Sequence, residues 1–140
     1  NITDRLGVFS FYIDGVHHNL ITKLLNDRYG IQVRGGCSCA GTYGHFLLEV
    51  DIDLSREITD RIEAGDLSLK PGWVRLSLHP LMTDSELLYI AAAVEEIALN
   101  AAEWGKDYLY DRHTNEFNHR SYIEPVTAGK YGWFDNIGRD

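Results

Sequence analysis

The chain has 140 residues, with 21 acidic against 13 basic side chains and a formal charge of −8. That charge repels nucleic-acid phosphate and anionic membrane surface, and no basic cluster in the sequence overrides it. The longest apolar runs, such as residues 87–94, stop well short of the ~20 residues a membrane span needs, so a globular chain of one domain is expected.

Two cysteines, Cys37 and Cys39, are separated by one serine. Such a pair cannot staple distant parts of a fold, which points to a reducing compartment, the cytoplasm. The first residues carry neither a signal peptide nor an initiating Met, so the chain reads as a piece of a longer protein.

Residues 6–13 (LGVFSFYI) are rich in aromatic and β-branched side chains and end at Asp14-Gly15, which predicts a buried strand followed by a turn. From 16 to 29 the period changes. Val16, Leu20, Leu24 and Leu25 recur at helical spacing, and Gly30 stands where a left-handed residue would end the helix. Residues 31–33 read as a second strand. Residues 34–41 (RGGCSCAG) hold too many glycines for a regular element and read as a loop.

Further on, 55–64 predicts a short helix with Ser55 as N-cap and Gly65 as its stop. Lys70-Pro71-Gly72 is a turn. Residues 73–78 (WVRLSL) alternate, placing Val74, Leu76 and Leu78 on one face of a strand and Arg75 on the other, away from the core. Thr83 and Glu86 form a capping box before a long apolar helix over 84–103, stopped by Gly105. Residues 108–119 suit a hairpin turning at His113-Thr114-Asn115, and the last dozen residues read as loosely structured. The sum is an α+β architecture, a small, mostly antiparallel sheet covered by helices.

The glycine-flanked cysteines admit three readings. They are inert loop residues; or Cys37, Cys39 and His45 ligate a metal, although zinc usually takes ~4 ligands with wider cysteine spacing. Or one is a nucleophile, exposed on a loop with its pKa lowered by Arg34 and a helix N-terminus. The remaining histidines, among them His17 and His18, are scattered without ligand spacing and read as structural or solvated.

The segment Gly30-Ile31-Gln32-Val33-Arg34-Gly35-Gly36-Cys37-Ser38-Cys39-Ala40 resembles the loop of cysteine desulfurases and selenocysteine lyases, class V relatives of the aminotransferases that use pyridoxal phosphate (PLP). In that register Cys39, not Cys37, takes the place of the persulfide-forming thiol. Val74-Arg75-Leu76-Ser77-Leu78 is similar to the family strand whose arginine clamps the α-carboxylate of the amino-acid substrate, a role that falls to Arg75. Arg34 is a second candidate near the substrate, either as an extra carboxylate or phosphate contact or as a support for the loop. The resemblance covers roughly residues 5–103 and implies a C-terminal small domain over 1–104, as in fold-type I PLP enzymes, with an aromatic extension over 105–140.

The same resemblance implies a homodimeric full-length enzyme. Its PLP would be held by a large domain outside this sequence, through a lysine, an aspartate and a stacking ring. Lys23, Lys70, Lys106 and Lys130 lack the family's setting for that lysine, so the segment alone is expected to hold no PLP, no metal and no activity. Where the desulfurase loop commonly carries histidine, this one has Cys37 and Ser38. A class V aminotransferase or lyase without thiol chemistry is therefore the second reading, and a non-catalytic binding module the third.

Overall fold

A computed structural model describes residues 6–37 and 41–121, without the side chains of 41 and 42. Three short strands, β1 (Val8–Phe11), β2 (Arg34–Gly36) and β3 (Trp73–Ser77), form one antiparallel sheet in the order β1-β3-β2. Helices α1 (His18–Tyr29), α2 (Gly41–Leu47), α3 (Ile52–Glu63) and α4 (Asp84–Trp104) surround it. A second sheet is the hairpin of β4 (Tyr108–Asp111) and β5 (Glu116–His119). This is the α+β architecture expected, and no helix among the described residues is long and apolar enough to cross a membrane.

The core lies where α1 and α4 meet the Val74 face of the sheet. Leu20, Ile21, Leu24 and Leu25 of α1 recur at helical spacing and bury against Val74, Ala93, Ile97, Ala101 and Tyr108. Tyr108 ties the hairpin into that same core. Small Ala93 and Ala101 on α4 let the two helices approach closely, while the Thr83–Glu86 capping box satisfies the first N–H groups of α4 on both sides. Gly30 ends α1 at φ 66°, and its N–H bonds back to the Asn26 carbonyl.

Several expectations shift. β1 is an edge strand with largely exposed residues, not a buried one, because only its Phe11 end packs on the core. The second strand is Arg34–Gly36 rather than 31–33. Gly35 makes this possible, since a Cβ there would sit 2.8 Å from Asn19 Oδ1 and from Thr22 Oγ1, so only a glycine strand lies that close to α1. Within the 34–41 segment, 34–36 are a strand and 41 opens α2, while 38–40 lie outside the described residues. The next helix starts at Ile52, not near Ser55. Asp51, in extended conformation, caps it by accepting from Leu54 N at 2.8 Å, and Ser55 lies inside the first turn. The expected hairpin is present, with Asn115 at φ 60° in its turn. The last dozen residues lie outside the described ones.

Gly72 is the tightest junction. A Cβ there would fall 2.7 Å from His18 Cε1 and 2.8 Å from the Gly36 Cα, so the chain entering β3, the end of β2 and the start of α1 meet at one point. Because one obstacle is backbone, Gly72→Ala is expected to cost roughly 1–3 kcal/mol by overpacking. Gly35→Ala, which meets side-chain ends that can swing away, should cost less. Midpoints of urea unfolding at unchanged slope check both.

Candidate functional site

Alternation along β3 turns Trp73, Arg75 and Ser77 to the face opposite Val74. There Arg75 stands directly across from Ser10 of β1 and from Arg34 of β2. Directly opposed residues in an antiparallel pair have Cβ atoms ~5 Å apart, and like charges so placed destabilise the sheet unless something neutralises them. Arg34 is exposed, while Arg75 is half-buried. The Nε of Arg75 is buried with no hydrogen-bond partner among the described residues. A buried guanidinium donor left unpaired costs free energy, which an incoming carboxylate would return.

The same face positions the cysteine segment. Trp73 is buried, and Gly44 of α2 lies against it so closely that a Cβ would be 3.1 Å from the indole edge and 3.9 Å from the Cys37 Cβ. The chain thus leaves β2 at Cys37 and re-enters at α2 beside Trp73, both next to the arginine pair. Cys37 is a half-buried free thiol. Cys39 lies outside the described residues.

His45 is engaged structurally, its Nδ1 at 3.2 Å from Ser55 Oγ, linking α2 to α3. Among the described residues no group of three or more His, Cys, Asp or Glu is placed to hold a metal ion.

A second cluster, which residue spacing does not signal, gathers where the start of α1 meets β2. His17 caps α1, its Nδ1 accepting from Asn19 N at 3.1 Å, and its ring stacks on that of His18 at 4.3 Å between centroids. Tyr110 and Phe117 of the hairpin pack on His17, each at 5.4 Å. His18 is only 6 % exposed. It lines a cleft of about 270 Å³ with Asn19, Arg34, the glycines of β2, Cys37, Lys70 and Asn115. Neither its burial nor Lys70 could be read from spacing, because Gly72 and Gly35, distant in sequence, create the close approach.

Burial, with the neighbouring His17 and Lys70 charges, lowers the His18 pKa to about 4, and burial lowers that of His17. Both folded-state values lie below the unfolded value near 6.5, so the unfolded chain binds more protons in acid. The associated stability is full above pH ~6.5 and is lost as pH falls toward 4. Between pH 7 and pH 5 a loss of roughly 1–2 kcal/mol is expected, and His18→Gln should flatten that dependence. Urea unfolding at a series of pH values measures it.

The family model described as Aminotransferase class-V matches residues 1–90. No curated protein and no solved structure matches the chain.

Proposed function

The chain belongs to the class V aminotransferase family, whose members depend on PLP, and from that premise we propose that it is the C-terminal small domain of a desulfurase-like enzyme. Its substrate would be cysteine or selenocysteine. The observation that supports amino-acid binding here is Arg75, aligned with Arg34 across β2 and β3, its Nε buried and without a hydrogen-bond partner among the described residues. A guanidinium on a central strand offers parallel donors to a carboxylate and fixes its rotation as well as its position.

The described residues do not fit the cofactor itself. Lys23 pairs with Asp27 of its own helix at 3.9 Å, Lys106 with Glu103 on the surface, and Lys70 borders a cleft that no carboxylate lines. Among the described residues no lysine has the acid and stacking ring that hold PLP in the family. The group belongs in this reading to a large domain of the full-length protein, a cytoplasmic homodimer, and no step is derived through it.

What this chain contributes is substrate orientation by Arg75, with Arg34 beside it, and the thiol of Cys39. The Cys39 thiolate attacks the substrate sulfur. An S–S bond forms as the C–S bond breaks, and the β-carbon takes the C–S electron pair and a proton. The products are a Cys39 persulfide and alanine. The two sulfurs are oxidised as the carbon is reduced, so no external oxidant is consumed.

The test is to supply L-cysteine to the full-length protein and measure alanine and protein-bound persulfide in the first turnover. Equimolar formation of both is expected. Transfer of the amino group to a keto acid without persulfide would replace this reading with that of a class V aminotransferase.

A further inference from the structure

The face of the sheet that carries Arg75 also borders an apolar cleft. It holds about 390 Å³ and is lined, among the described residues, chiefly by Tyr12, Tyr43, Leu47, Leu48 and Trp73, with Ser10 as a small polar member. Ser10 stands directly across from Arg75, and Trp73 lies two residues before Arg75 on the same strand. Side chains two residues apart on a strand share a face and start ~7 Å from one another. The cleft and the guanidinium are therefore neighbours on one surface.

One wall of the cleft is fixed. Trp73 is buried and seated against Gly44, and the His45 Nδ1 to Ser55 Oγ contact at 3.2 Å ties α2 to α3. The remaining walls face solvent, since Tyr12, Tyr43 and Leu47 are exposed. Apolar surface of this kind releases free energy when a ligand covers it, and the volume is in the range of small-molecule pockets. The thiol of cysteine would fill only a small part of it.

We propose that this cleft is the side-chain subsite of the ligand whose carboxylate Arg75 holds, and that it takes an apolar group larger than a thiol, an aromatic ring or a branched alkyl chain. The proposal rests on the reading of Arg75 as the carboxylate contact. Tyr12 and Tyr43 supply ring surface, Leu47 and Leu48 aliphatic surface, and Trp73 the buried floor. A charged side chain is disfavoured, because it would shed its water against these walls. Cysteine then occupies the Arg75 end alone, and amino acids with large apolar side chains compete with it for the site.

The probes are propionate, 4-methylpentanoate and 3-phenylpropionate, carboxylates without an amino group to transfer, titrated calorimetrically into the full-length protein. The two larger probes are expected to bind about tenfold or more tightly than propionate, the effect of burying one large apolar side chain. Leu47→Ser and Tyr12→Ser, both at exposed positions, should each reduce that preference severalfold, and Leu99→Ser, exposed on α4, should leave it intact.

Equal dissociation constants for the three probes, no saturable binding of any of them, or an unchanged preference in both subsite variants would overturn the proposal. A lower urea midpoint or an altered oligomeric state in Leu47→Ser would in that event assign the cleft to another part of the polypeptide or to a second copy. Arg75→Met is expected to weaken all three probes alike. A preference that persists there at undiminished affinity keeps the subsite and removes the carboxylate role, whereas a missing preference with Arg75 dependence intact does the reverse.

Discussion

Cys39→Ser is expected to abolish alanine formation from cysteine, by at least about 10³-fold, the scale on which removal of a covalent nucleophile acts. A serine hydroxyl without an adjacent base is a weak nucleophile, whereas a thiolate is a strong one at neutral pH. Cys37→Ser should retain most of the activity, because Cys37 is half-buried and packed beside Gly44. Quantifying alanine in single-turnover reactions of the two variants decides the matter, and equal activity in both would end the thiol role.

Arg75→Lys is expected to lower kcat/KM for the amino acid by roughly 10–100-fold, the equivalent of one charge-assisted hydrogen bond at about 1.5–3 kcal/mol. Lysine keeps the charge and loses the planar pair of donors, so the loss should fall on orientation as well as affinity. Stability should move the other way. Arg75→Met removes a buried donor that has no partner among the described residues, so the fold should be unharmed or gain up to about 1 kcal/mol. A side chain whose removal damages turnover while sparing stability serves a ligand. Steady-state kinetics with urea unfolding of the same variants tests both halves, and an Arg75→Lys enzyme with unaltered kcat/KM would remove the carboxylate role.

Elements whose determinants are local in sequence were legible. The Thr83–Glu86 box, the period of α4, Gly30 after α1, and the alternation that turns Arg75 from the core all lie within a few residues of what they control. Elements set by distant contacts were not. Gly35 belongs to a strand only because α1 presents Asn19 and Thr22 to it. α2, with two glycines in seven residues, has poor intrinsic propensity and is seated by Trp73, some thirty residues away. Asp51 outcompeted Ser55 as a cap because both are good capping residues and helical pattern alone does not choose between neighbours. On the candidate site, the sequence supplied Arg75 and Arg34 singly. Their opposition across two strands is a matter of register, and the burial of His18 depends on glycines from two other segments.

The hairpin's grip on the start of α1 has a consequence for biosynthesis. Tyr110 and Phe117 pack on His17, Tyr108 completes the core, and the Asn19–Asn115 hydrogen bond spans 96 residues of chain. A ribosome adding about 5–20 residues per second delivers α1 several seconds or more before the segment that closes over it. Throughout that interval Leu20, Ile21, Leu24 and Leu25 have no completed core to enter, so the nascent chain carries the apolar face of α1 incompletely covered until nearly all the described fold has emerged.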